Sequence, residues 1–200
     1  MQKRDGGYQE IDFAKIQNRL KYLAKGYPSR KNKDNLQLFT LDPLNNINIT
    51  FVTQEVIKSV VDKIPTNKID ELTANICSEN AHRHPDYNEM ASRIIISNHH
   101  KNTRTRNFLG MTEYLYLDKN SSVINKHYYK FIECNWEKIE EAIDYNRDYG
   151  ITYFGFKTLE KSYLLKTNND EYPIEKPQDA WMRIAISLNL EITELPSKSI

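Results

Sequence analysis

The fold class this sequence predicts is mainly α, and three observations carry the prediction. Apolar residues recur at helical spacing in four separate stretches of the first hundred positions. Capping residues, prolines and a glycine stand where those periods begin and end. The second half continues with further helical periods and only two short extended pieces.

Taken in order, Phe13, Ile16, Leu20 and Leu23 share one face of a first helix, with Asp12 as its N-cap and Gly26 as its stop. The stretch YPSRKNKDNLQLFTLDPLNN then interrupts every period with proline, asparagine and charge, and reads as an insertion over about residues 27–46. Val52, Val56, Val60 and Ile64 predict a second helix closed by Pro65. Ile69, Leu72 and Ile76 predict a third, for which Thr66 is the candidate N-cap. In HPDYNEMASRIIISNHHK, Pro85 suits a first helical turn, and Tyr87, Met90 and Ile94 continue the period. Four such helices suffice for a small bundle.

A polar bridge leads to FIECNWEKIEEAI, a further helix in which Asn135 is a candidate cap or break. Phe156, Leu159 and Tyr163 begin another. YLLKTNNDEYPIEKPQ reads as two extended pieces about an Asn-Asn-Asp turn, and Pro177 opens a last helix carrying Trp181, Ile184 and Leu188. Packing only one or two of these later helices together leaves large apolar faces uncovered, so the second half reads as the margin of a larger domain.

Composition narrows the function classes. With 39% apolar and 28% charged residues, a chain of 200 has enough apolar mass for a core and enough charge for solubility. No run of about 18 apolar residues is present and MQKRDGG has no signal-peptide core, so a cytoplasmic chain that is not secreted and has no membrane partner is expected. A net charge of +1 argues against direct nucleic-acid binding, leaving any phosphate chemistry to local basic clusters. Cys77 and Cys134 stand alone, which fits two small buried apolar residues better than a disulfide or a four-cysteine metal site.

One such basic cluster is KRDG, Lys3 to Gly6, immediately ahead of the first helix. Lys and Arg clamp phosphate oxygens, Arg in bidentate fashion, and glycine allows close backbone approach. A basic surface turn is the commoner meaning of four such residues taken alone. Joined to DFAKI, PTNKIDEL and HPDYNEMASRIIISNHHK, however, the motif resembles in order and spacing the ATP cone at the N-terminus of the ribonucleotide reductase large subunit. DYNRDYGITYFGFKTLEKSYLLK and EKPQDAWMRIAI resemble the helical region that follows the cone in the class I, eukaryotic-like enzymes.

The resemblance implies a four-helix cone with a short β cap over residues 1–103, and over 104–200 a truncated helical domain that in the family leads into a ten-stranded α/β barrel, absent from this sequence. It implies ATP or dATP as an allosteric effector, with no other cofactor on the chain. By position, Lys3 and Arg4 match the family's phosphate-binding turn, Lys15 a further phosphate contact, Thr66 and Asp70 positions beside the base and sugar, and Lys101 a basic residue ending the fourth helix. Each has an ordinary alternative: Lys15 and Lys101 as solvated helix charges, Thr66 as a cap, Asp70 as a carboxylate near a helix start. Agreement of all six in family order favours the site. Two departures bear on affinity: only Met1 and Gln2 precede KRDG where the family has a short apolar strand, and Gln9 stands where it commonly has glutamate, with Glu10 next.

The family reduces ribonucleotides through a thiyl radical and a dithiol pair, and neither cysteine here matches those positions, so the chain alone is expected to be non-catalytic. Its implied partners are the barrel portion of the large subunit and the reductase small subunit. Four of the five histidines, His82, His84, His99 and His100, offer a lesser, metal-binding reading, against which stands the lack of cysteine or carboxylate at finger-like spacing. A free-standing nucleotide sensor and a degenerate fragment are the competing functional readings. Retention of YFGFKTLEKSYLLK disfavours the sensor, which has no use for a barrel-facing apolar surface.

Overall fold

The computed structural model describes residues 7, 10, 12–26, 40–60, 64–103, 107–118, 123–167 and 172–194. Helices dominate them, and neither a strand nor any part of a barrel occurs among the described residues. The β cap and residues 27–39 of the expected insertion lie outside the described residues. The chain divides into two compact units, residues 1–101 with 149–158, and residues 102–148 with 159–200.

In the first unit, α1 spans Phe13–Ala24, and the Asp12 carboxylate accepts from Ala14 N–H at its start. Leu20, Leu23 and Ala24 are its buried face, while Phe13 remains exposed. The helix stops at Gly26, whose φ of 70° is left-handed, and a Cβ there would lie 2.1 Å from the Leu41 carbonyl oxygen. Both constraints select glycine. α2, Ile49–Ser59, is capped by Asn48 and buries Val52, Thr53 and Val56. Val60 adopts extended backbone, so the expected extension of this helix through Val60 to Ile64 does not occur. β-branched Val60 favours that exit, and the residue before Pro65 is biased away from helix as well.

α3 spans Thr66–Glu79. Its N-cap position is held by Pro65, without a side-chain cap hydrogen bond, and Thr66 is the first helical residue rather than the cap. Pro65 supplies the extended backbone an N-cap needs, with φ −65° and ψ 144°. α4, Pro85–Asn102, is buried along most of its length, from Tyr87 and Met90 through Ile94, Ile95 and Ile96 to His99. A helix buried on all sides is the centre of its bundle. Its polar residues reach partners: Arg93, nearly inaccessible, donates to the carbonyls of Leu23 at 3.1 Å and Asp42 at 2.6 Å. Residues 149–158 complete this unit. Phe156 is fully buried with its ring edge-on to His99, Tyr149 meets His100, and the Tyr153 hydroxyl donates to Asn75.

The second unit contains a helix, α5, Phe108–Leu117, where a polar bridge is expected from the sequence. Asn107 caps it, and the Glu140 carboxylate accepts from Phe108 N–H at 2.6 Å. α6 runs unbroken over Lys126–Ala142. Asn135 neither caps nor breaks it, because its side-chain amide donates to the Phe131 carbonyl one turn back. After a 3₁₀ turn at Tyr145–Gly150 comes α7, Tyr153–Ser162, of which residues 153–158 belong to the first unit and 159–162 to the second. Two stretches about residues 163–167 and 172–176 are joined by a backbone hydrogen bond from Ile174 to Leu165, and α8 spans Pro177–Glu194. Phe108, Met111, Leu115, Ile124, Tyr128, Ile132, Ile139, Ile174 and Ile186 form one core in this unit. It thus has an apolar centre of its own.

Candidate functional site

Of the six residues singled out in the sequence, Lys3 and Arg4 lie outside the described residues. The other four stand on three helices of the first unit: Lys15 exposed in the first turn of α1, half-buried Thr66 at the start of α3, Asp70 buried one turn later, and Lys101 exposed in the last turn of α4. Side-chain bonds fix the register of these helices. Arg19 Nε and Nη2 donate to the two oxygens of Asp70 at 2.8 and 2.9 Å, and Nη2 also reaches the Ser97 hydroxyl at 3.4 Å. α1, α3 and α4 therefore meet at one ionic hub.

The direction of each helix follows from neighbouring bonds. Leu23 pairs with Arg93, and Arg19 pairs with Ser97, so α1 and α4 run antiparallel. α3 ends at Glu79 and α4 begins at Pro85, and Asn98 Nδ2 near the end of α4 donates to the Asn67 carbonyl near the start of α3 at 3.2 Å, so α4 runs antiparallel to α3. Lys15 and Thr66 precede the hub by four residues on their helices, and Lys101 follows Ser97 by four. One turn of about 5.4 Å carries all three toward the same end of the bundle.

The electrostatics of that end suit an anion. The starts of α1 and α3 carry the positive ends of two helix dipoles, against the negative end of α4 alone. Lys15 and Lys101 add two full charges. The Asp70 carboxylate beneath them is neutralised by the Arg19 fork.

Arg19, Ser97 and Asn98 were not among the residues the sequence pointed to. A partial signal existed, since Lys15 and Arg19, and likewise Thr66 and Asp70, are spaced four apart and so share a helix face. No local pattern pairs α1 with α3 across 51 positions. The histidines disperse: His82 Nδ1 contacts the Glu79 carbonyl, His84 Nδ1 accepts from Asp86 N–H, and His99 and His100 pack on aromatic rings. Among the described residues no group of three His, Cys, Asp or Glu is placed to hold a metal ion. No helix among them is long and apolar enough to cross a membrane.

A helical cone with its basic positions gathered at one end defines a class. The family described as the ATP cone domain matches residues 1–102, and the family described as the ribonucleotide reductase all-alpha domain matches residues 149–195. The chain belongs to the ATP cone family, joined to that all-alpha domain. More particularly, it is homologous to the N-terminal region of eukaryotic ribonucleoside-diphosphate reductase large subunits. It is 37% identical over 193 residues to large chain 2 of Saccharomyces cerevisiae, covering 94% of this chain and 20% of that protein. It is 36% identical over 193 residues to the large subunit of Plasmodium falciparum, covering 94% and 22%, and 34% identical over 193 residues to that of Arabidopsis thaliana, covering 94% and 21%. The chain spans about a fifth of the length of the curated relatives it matches.

Proposed function

We propose that this chain is the allosteric nucleotide-binding portion of a ribonucleoside-diphosphate reductase large subunit and that its cone takes ATP or dATP as effector. The observation that carries this reading is the Arg19–Asp70–Ser97 hub, which sets the register by which Lys15, Thr66 and Lys101 come to one end of the bundle. In this reading Lys15 and Lys101, with Lys3 and Arg4, hold the triphosphate, while Thr66 and Asp70 lie toward the base and sugar. The domain boundary at about residue 103, the barrel portion of the large subunit and the small subunit as partners, a cytoplasmic location, and the absence of a further cofactor belong to the same proposal.

Reduction of a ribose needs a cysteine at the sugar and a dithiol able to close. Cys77 stands on α3 of the first unit and Cys134 on α6 of the second, in no shared motif. The chain's part is therefore regulatory, and catalysis belongs to the barrel. Titration calorimetry of the 200-residue chain with ATP and dATP tests the reading. Arg4→Ala and Lys101→Ala each remove a charge-assisted phosphate contact and should weaken binding by about tenfold. Heat-silent titration of the unsubstituted chain with both nucleotides would remove the proposal.

A further inference from the structure

Arg19 belongs to none of the positions assigned to the nucleotide, yet more of the site's geometry passes through it than through any assigned residue. Its guanidinium holds both oxygens of Asp70 and leans on Ser97, with 25% of the Arg19 side chain and 11% of the Asp70 side chain accessible. Two parallel bonds fix the plane of a carboxylate as well as its position, and a lysine ammonium cannot reproduce that fork. The pair also settles an electrostatic conflict. A bare carboxylate in the site of a polyanionic nucleotide would repel it, and the effect is strongest where water is excluded.

We propose that Arg19 is a positioning residue of the nucleotide site: it orients and neutralises Asp70, and through Ser97 it holds α4, so that the nucleotide meets Lys15, Thr66, Asp70 and Lys101 in one fixed arrangement. This rests on the nucleotide-binding reading above. Arg19 is one turn from Lys15 and acts through Asp70 rather than by touching phosphate. A residue that merely glued the helices together would change how much protein is folded. One that orients Asp70 toward the sugar changes which nucleotide the folded protein prefers.

The test compares the full chain with Arg19→Lys, Asp70→Asn and the double variant, titrated calorimetrically with ATP and with dATP, each first checked by thermal melting. Arg19→Lys keeps the charge and loses the fork; it should weaken ATP binding by about tenfold and shift the ATP to dATP affinity ratio by about threefold or more. In the Asp70→Asn background the same substitution should cost less than about twofold, because the group it acts through has been altered. Unchanged affinities, an equal loss for both nucleotides, or the same loss in both backgrounds would each overturn the proposal. So would an Arg19→Lys chain that does not fold, which assigns Arg19 to the fold itself. If the unsubstituted chain binds neither nucleotide, the binding reading itself fails; if it binds both and Arg19→Lys binds alike, positioning alone is lost.

Discussion

Cys77 lies on the inward face of α3 with no exposed surface, and burial pushes its thiol up to about 12, whereas Cys134 is exposed on α6. The thiolate is the reactive form, so the two should separate cleanly in a titration with an aromatic disulfide reagent. One equivalent should react rapidly in the native protein, and the second only when denaturant opens α3. Two rapid equivalents would contradict the packing of α3. The sequence placed both cysteines inside; Cys134 departs from that because the buried stripe of α6 runs through Tyr128, Ile132 and Ile139 and leaves position 134 on the other side. At the candidate site the situation is reversed. Lys15, Thr66, Asp70 and Lys101 are candidates through their match to a family order, while the partner that fixes Asp70 has no such signal, since Arg19 is remote in sequence and carries no motif of its own.

At the scale of elements, the helices announced by a polar cap or a proline were legible: Asp12 before α1, Pro85 at the start of α4, Pro177 at the start of α8. α5 was not. Its buried positions Phe108, Met111, Thr112 and Leu115 are helically spaced, but Leu109, Tyr114, Tyr116 and Leu117 place apolar residues on its other faces and flatten the period. α8 illustrates an element held by buried charge. Glu175 takes a bidentate grip from Arg183, at 2.6 and 3.0 Å, and accepts from Leu165 N–H. Asp179 accepts from the Tyr145 hydroxyl at 2.7 Å and from Lys176 N–H at 3.0 Å, yet burial outweighs these bonds and the Lys176 charge and raises its carboxyl to about 6. A carboxyl raised in the folded state binds its proton more tightly there than in the unfolded chain. Its contribution to stability is therefore fullest below about pH 4 and declines as pH rises through about 6. Urea midpoints measured across that window should show the stability difference between the native chain and Asp179→Asn falling with rising pH. Parallel curves would mean that Asp179 is not the titrating group.

At the scale of the molecule, the second unit closes a core but does not cover all its apolar surface. Trp181, Ile184 and Leu188 lie at helical spacing on α8, 49%, 41% and 57% exposed, and Tyr163 stands beside them at 65%. With Leu159, Leu164, Leu165, Pro177 and Ala180, three of these residues, Tyr163, Trp181 and Ile184, line a groove of about 430 Å³. The full chain should bind a hydrophobic dye. Ile184→Ser combined with Leu188→Ser should reduce that fluorescence severalfold while leaving the melting temperature nearly unchanged, because neither side chain is in the core. A dye-silent parent chain would show that this face is covered. The expectation of an uncovered face was legible in the helical spacing of α8, but its extent was misjudged at Phe156, which the sequence placed beside Leu159 and Tyr163 and which packs instead against His99 inside the first unit. Periodicity identifies an apolar face without saying which neighbour covers it. The return of residues 149–158 also bears on the order of synthesis. A ribosome releases α1 to α4 well before Tyr153 and Phe156, and the Tyr153 to Asn75 bond spans 78 positions. The nascent cone must therefore wait, with Asn75 and the face around His99 still open, until α5 and α6 have also emerged; translation speed through that interval sets how long the unfinished surface stays available to chaperones.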